Sequence, residues 1–362
     1  MMEQRNPSPI RGRGAQSGAV PTRFGLPMRE ADGDWLDHVG RLDGAPPKLR
    51  TTVAEERPRT ILSFNQSPDI AFDRSVNAYR GCEHGCVYCF ARPTHAYHDL
   101  SPGLDFETRL FAKANAADLL RQTFAKPRYR PKVLAMGTNT DPYQPIERRY
   151  RITRALLEVC LEARHPVTIT TKSDRVLDDI DLLEEMARRN LIAVAISVTS
   201  LDPELSGKLE PRAASPVKRL AALSKLADAG VPTHCSIAPV IPCITDHFLE
   251  EIVERAANMN ISSCGWIPLR LPHEVAGLFR EWLDVHFPDR AQKVISIVRS
   301  IRNGRDNDPE FFTRLRPTGV WADLFRARFR VACKRFGIRK TRFELDCEQF
   351  RAPEIDGQMR LL

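Results

Sequence analysis

From about residue 61 onward, short runs of aliphatic and β-branched residues alternate with segments whose apolar positions recur at helical spacing, the pattern of βα units around a parallel sheet. The runs predict six strands: Ser75 to Tyr79, Lys132 to Met136, Val167 to Thr171, Leu191 to Val198, Val231 to Ala238 and Ile261 to Pro268. Between them, Ile152, Leu156, Val159, Cys160 and Ala163 share one helical stripe, and Leu177, Ile180, Leu183 and Ala187 form a second, with Ser173 or Asp174 able to cap its start. A third helix begins at Ser215 and Pro216 and stops at Gly230, and a fourth starts near Thr245 or Asp246. Six such repeats favour an α/β fold built as a partial (β/α)6 TIM-like barrel over a doubly wound sheet, although periodicity alone does not separate the two.

The flanks differ in texture. Residues 1–60 are rich in Pro, Gly, Arg and Asp, which predicts a flexible or loosely docked N-terminal arm before a core at 61–290. Residues 291–362 are expected to form a basic α-helical extension, because 299–342 hold thirteen Lys/Arg against four Asp/Glu. A helix is predicted from Trp321 to Phe336, with Leu324, Phe325, Phe329, Ala332 and Phe336 as its apolar face and Arg326, Arg330, Lys334 and Arg335 elsewhere. Such a helix could close the open side of the barrel, and its cations suit a polyanion such as nucleic acid or serve as a solvated face.

Composition removes several classes. No run approaches the ~18 apolar residues of a membrane span and the N-terminus lacks a signal-peptide core, so the expectation is a cytoplasmic protein without a membrane partner. Nine cysteines is an odd number, and six of them lack the regular spacing of a disulfide framework, which fits a reducing compartment.

The remaining three carry the chemistry. NAYRGCEHGCVYCFARPTH places Cys82, Cys86 and Cys89 as C-x3-C-x2-C directly after the first predicted strand. Soft thiolates select zinc or iron-sulfur, and a tight triplet on a Gly-containing loop can hold three corners of one cube, leaving the fourth iron open to a small molecule. The alternative is a zinc site completed by His84, His95 or His98.

This loop resembles that of the radical SAM superfamily, CxxxCxΦC with an aromatic residue at Φ, here Tyr88. The resemblance implies a [4Fe-4S] cluster on Cys82, Cys86 and Cys89, with S-adenosylmethionine (SAM) chelating the free iron beside Tyr88. It further implies reductive cleavage to a 5'-deoxyadenosyl radical that abstracts hydrogen from a substrate, and an electron donor such as flavodoxin or ferredoxin. Barrel sites lie at the carboxyl ends of strands, so the residues just after each strand are the ones to read. In MGTNTDPYQPIE, Asn139, Thr140 and Asp141 offer acceptors for a cationic amino group, which the resemblance assigns to SAM; the plain alternative is a polar turn. Lys172 and Ser197, on adjacent strand ends, suit the SAM carboxylate, against a snorkelling lysine and a core serine.

LEPRAASP, APVIPCITD and PLRLP extend the likeness to the spore photoproduct lyase-like, or DNA repair photolyase-like, branch. Glu210, Arg212 and Arg270 then read either as an internal ion-pair set or as substrate contacts. Spore photoproduct lyases use a cysteine near the end of the second strand as hydrogen donor. Met136, Gly137 and Thr138 stand there in this chain, so thymine-dimer activity is not carried over. Cys243 is the candidate donor in its place, against a packing role. The leading expectation is therefore a radical SAM enzyme acting on an unknown substrate, with nucleic acid or a nucleotide the first candidate. The alternatives are a metal-stabilised nucleic-acid-binding protein without SAM turnover and a simple electron carrier.

Overall fold

The computed structural model describes residue 10 and residues 12–19, 49–338 and 343–354. Its strands are β1 (Thr52–Glu56), β2 (Leu62–Phe64), β3 (Arg74–Val76), β4 (Tyr79–Arg80), β5 (Arg109–Lys113), β6 (Leu134–Met136), β7 (Val167–Thr171), β8 (Ile192–Ser197), β9 (Thr233–Val240) and β10 (Ser263–Pro268). The helices are α1 (Leu104–Thr108), α2 (Ala116–Phe124), α3 (Glu147–Tyr150), α4 (Ile152–Glu162), α5 (Ile180–Arg188), α6 (Pro203–Leu209), α7 (Pro216–Asp228), α8 (Leu249–Asn258), α9 (Val275–His286), α10 (Pro288–Ser300) and α11 (Val320–Phe336).

The larger sheet runs β10-β9-β8-β7-β6-β3-β2, with β3 and β6 to β10 parallel and β2 added antiparallel at the edge. Six parallel strands in chain order, with helices between them and no pairing of β10 to β3 or β2, make an open partial barrel rather than a doubly wound sheet.

Two boundaries depart from the periodicity. The first predicted strand, Ser75 to Tyr79, is cut at Asn77, whose side chain bonds Thr138 Oγ1 at 3.1 Å; Tyr79 and Arg80 pair instead with β5 in a separate sheet, β1-β5-β4. The N-terminal arm also needs correction where it is described, because Thr52–Glu56 is a strand parallel to β5 and Arg13, Gly14 and Ala15 are buried. Most of the remaining arm lies outside the described residues. The boundary expected between 290 and 291 falls inside α10.

Alternation along the strands sorts the core. Leu134 and Met136, Val167 and Ile169, Ile192, Val194 and Ile196, Cys235 and Ile237, and Cys264 all join one apolar core with the surrounding helices. The opposite, concave face carries Ser75, Ala135, Thr168, Thr170, Ala193, Ala195, Ser197, His234, Ser236, Ala238, Ser263, Gly265 and Ile267, and none of these belongs to an apolar core cluster. Several are open to solvent although their strands lie inside the sheet: Thr170 is exposed, and Thr168, Ala195, His234, Ser236 and Gly265 are half-buried. Closed barrels usually fill this space with layers of Val, Ile and Leu. Small side chains leave it hollow here.

The C-terminal helix α11 packs on α8, with Phe325 buried between Trp266 and Trp321 and Arg328 paired to Glu250 at 2.7 Å. It covers the helix layer beside β10. Of its predicted apolar face, Leu324 is instead 57% exposed, in line with Val320 and Val331, because the buried stripe is centred on Phe325 and Ala332.

Candidate active site

The cysteine loop leaves β4 and runs back under the carboxyl ends of the parallel strands. Gly85, between Cys82 and Cys86, sits at φ 68°, and a Cβ there would collide with the Glu107 carboxylate, so the turn requires glycine. Cys82 and Cys86 are buried and Cys89 is half-buried. Burial raises the thiol pKa of Cys82, and Asp141, Cys86 and Cys89 add to it. Burial raises Cys86 too, with Lys172 pulling down and Glu210 and Cys89 pushing up. Cys82 thus feels the other two thiols of the loop, and Cys86 also feels the Lys172 ammonium.

Among the described residues no three His, Cys, Asp or Glu side chains close around a point that would take a single ion. The histidines weighed for zinc have other surroundings. His84 Nδ1 lies 3.3 Å from Asp141 Oδ2, His95 Nε2 is 2.9 Å from the Arg109 carbonyl, and the His98 ring lies tilted against Phe111 at 5.0 Å. Three thiols spread along a loop are a donor set for the corners of an iron-sulfur cube.

Lys172 stands one step beyond β7 on the concave parity of Thr168 and Thr170, and its Nζ is 5.8 Å from the centre of the Tyr88 ring. The Tyr88 hydroxyl donates to Glu210 Oε1, which also accepts from Thr199 Oγ1 at 2.9 Å. Glu210 forms a buried ion pair with Arg219, whose Nη1 donates to the Ser197 carbonyl at 3.0 Å. Burial raises the Glu210 carboxyl pKa, and Arg219 opposes it. Tyr88, Lys172 and Ser197 thus sit around one network, with Arg219 as a member that no local motif signals.

The loop after β6 is organised inward. Asp141 accepts from Thr171 Oγ1 at 2.6 Å, from Lys172 N at 2.8 Å and from Tyr143 N at 2.9 Å. Burial would raise its carboxyl, but His84 and the Thr171 and Lys172 bonds outweigh burial and hold it at about 2. Thr140 Oγ1 donates to the Gly81 carbonyl at 2.5 Å and accepts from Gln144. Asn139 is half-buried, with Nδ2 on Thr94 Oγ1 at 3.3 Å. Thr140 and Asp141 therefore tie this loop to the cysteine loop and β7 rather than pointing free acceptors outward.

Cys243 lies at φ 61° in the turn after β9, half-buried against the same apolar cluster that contains Cys86 and Tyr88. Glu210 and Arg212 do not form one set: Arg212 pairs with Glu83 at 2.8 Å, while Arg270 has a buried Nε without a hydrogen-bond partner. On the concave face His234 Nδ1 is 2.7 Å from Ser263 Oγ, and its ring lies over Gly265, where a Cβ would press on it at 3.0 Å. Burial lowers the His234 pKa to about 4, so the imidazole is neutral at pH 7. Charged side chains are absent from the concave strand face among the described residues. A cleft of about 480 Å3, bounded by Asn65, Asp73, Lys132 and Cys347, lies at the opposite, amino end of β3 and β6, far from this chemistry.

Residues 76–256 match the profile of the radical SAM superfamily, from the first parallel strand through α8. An uncharacterised protein of Mycobacterium tuberculosis is 35% identical over 282 residues, covering 76% of this chain and 82% of its own length. The chain belongs to the radical SAM superfamily. An uncharacterised Methanocaldococcus jannaschii protein is 28% identical over 59% of this chain and 76% of its own. Spore photoproduct lyase, in a point-mutant form, superposes at TM-score 0.54 and 16% identity over 78% of this chain and 79% of its own, and the form complexed with dinucleoside spore photoproduct gives 0.53. This radical SAM protein is an enzyme with the spore photoproduct lyase fold, and its family implies an iron-sulfur cluster and SAM. No described helix is long and apolar enough to cross a membrane.

Proposed function

We propose that Cys82, Cys86 and Cys89 hold a [4Fe-4S] cluster, with SAM lying between the cysteine loop and the ends of β6, β7 and β8. The observation that supports this most is that one loop carries Cys82, Cys86 and Cys89 to the carboxyl ends of the strands, where Lys172 Nζ stands 5.8 Å from the Tyr88 ring. When bound, the reduced cluster supplies the electron that splits SAM into methionine and a 5'-deoxyadenosyl radical. Lys172 would meet the SAM carboxylate beside Ser197, and Asn139 its amino group. Thr140 and Asp141 would act by fixing the loop that presents Asn139, and Tyr88, locked by Glu210, would wall the cofactor. A reductant of the flavodoxin or ferredoxin class would approach at Cys89, beside Phe90, which is 59% exposed.

The hollow concave face would receive the substrate. Its lining of hydroxyls and one neutral imidazole favours an uncharged, hydrogen-bonding group such as a nucleobase, because a buried charge without a partner is costly. Arg305, Arg316, Arg330, Lys334 and Arg335 are exposed, which keeps a nucleotide or nucleic acid as the first candidate, whereas Arg302, Arg314 and Arg328 are engaged internally. Cys243, packed against the apolar side chains around Cys86 and Tyr88, is the proposed hydrogen donor.

Anaerobic reconstitution tests the reading. The expected results are iron and sulfide bound by the wild type but not by Cys82→Ala, an EPR signal that shifts on adding SAM, and 5'-deoxyadenosine under a strong reductant. A colourless protein with stoichiometric zinc, or a cluster whose spectrum ignores SAM, would falsify it.

A further inference from the structure

One buried carboxylate connects the cysteine loop to the far N-terminal segment. Glu107 and Arg92 are both fully buried and paired at 3.0 Å. Arg92 grips the loop carrying the thiols: its Nε donates to the Cys86 carbonyl at 2.9 Å and its Nη2 to the Gly85 carbonyl at 3.0 Å, while Nη1 holds the Pro102 and Gly103 carbonyls. On the other side, Glu107 Oε2 accepts from Gly14 N at 3.0 Å and Oε1 from Ala15 N at 2.9 Å. Arg13 Nη1 reaches the Glu107 carbonyl at 2.9 Å, and its Nη2 ties the segment to Leu49 and Thr51 at the start of β1.

Steric fit points the same way. A Cβ on Gly14 would overlap the Gly85 carbonyl oxygen, and one on Gly103 would overlap the Ser17 carbonyl. The segment therefore crosses the cysteine loop and the α1 approach at backbone contact. Successive N–H groups converging on a carboxylate make a strong acceptor site, and a buried carboxylate that lost two of its donors would rest on Arg92 alone.

We propose that residues 13–15 act as a strap that holds the cysteine loop, through Glu107 and Arg92, in the shape that retains the metal cluster. This rests on the reading of Cys82, Cys86 and Cys89 as cluster ligands. Gly14, Glu107 and Arg92 are positioning residues. Removing the strap frees the Glu107 carboxylate to pull Arg92 away from the Gly85 and Cys86 carbonyls, which loosens the spacing of the three sulfurs without touching any of them.

The experiment compares wild type, Gly14→Val, Glu107→Gln and Cys82→Ala in the full chain. It reads iron and sulfide per chain after anaerobic reconstitution, the decay of the cluster's visible absorbance under an iron chelator, and the thermal midpoint of the iron-free protein. Amide hydrogen exchange at Gly14 and Ala15 is followed in the iron-free protein. For Gly14→Val the expected result is chelator-driven loss about 10–100-fold faster, the scale on which outer-sphere partners alter metal affinity, in an iron-free protein that still unfolds cooperatively but at a lower thermal midpoint, because Glu107 loses two donors. Glu107→Gln should additionally deprotect the Gly14 and Ala15 amides. Wild-type loss rates in Gly14→Val, with its strap amides exchanging freely, overturn the strap while leaving the cluster reading intact. Equal iron in wild type and Cys82→Ala overturns both.

Discussion

Along β8, Ile192, Val194 and Ile196 are fully buried against helices, while the residues alternating with them, Ala193, Ala195 and Ser197, look onto the concave side of the sheet. The same division runs through β7 and β9, where Val167, Ile169, Cys235 and Ile237 oppose Thr168, Thr170, His234 and Ser236. One face holds the fold together by area removed from water, and the other gives that area up to keep a space. The comparison teaches where stability and function part company in this chain, strand by strand.

The largest expected effect strikes the helix-facing side. Ile196→Ala should cost about 2–5 kcal/mol, because a fully buried side chain leaves a cavity between sheet and helices. Ser236→Ala, one strand over on the concave face, should stay within about 0.5 kcal/mol. Urea unfolding of both variants measures the contrast. Similar losses at the two positions would mean that the concave face is packed and the hollow does not exist.

A filled hollow is the next test. Ala195→Phe projects a ring into space that the helix-facing side does not offer, so its unfolding midpoint should match the wild type. Substrate-dependent consumption of SAM should fall on the order of 100-fold, as misplacement of a reacting group does. SAM cleavage without substrate should persist. If Ala195→Phe unfolds early, or turns over substrate normally, the concave face is not where the substrate enters.

The helix-facing half of this picture could be read from the chain because alternation of Val, Ile and Leu is a strong periodic signal, and Val167 to Thr171 falls where it was expected. The cysteine loop stood out by its C-x3-C-x2-C spacing and by its likeness to the radical SAM motif. What periodicity could not supply were contacts closed in three dimensions. Asn77 ends a strand because its side chain finds Thr138, 61 residues away, and Glu107 bonds Gly14 across 93 residues. Asp141, read locally as an acceptor for a cationic amino group, accepts from Thr171 and Lys172 and lies beside His84, all on other elements. Leu324 failed for a related reason: a helix with apolar residues on more than one side lets its partner, here α8, choose which stripe to cover.

A last contrast separates the faces by protonation. His234 is the titratable side chain of the described concave strand face, and burial holds its pKa at about 4 against an ordinary 6.5. The folded state therefore binds fewer protons than the unfolded one between these values, so this contribution is fully present above pH 6.5 and is lost as pH falls toward 4. Its slope is at most about 1.4 kcal/mol per pH unit. His95 and His165, also lowered to about 4 by burial, have the same sign, while Glu147, raised to about 7 by burial, gains stability as pH falls. The difference in unfolding free energy between wild type and His234→Asn cancels those shared terms. It should be flat above pH 7 and shift against the wild type between 6.5 and 4. An imidazole that titrates near 6.5 by NMR would place His234 in bulk-like water, and the concave face would then be a surface rather than a sheltered chamber.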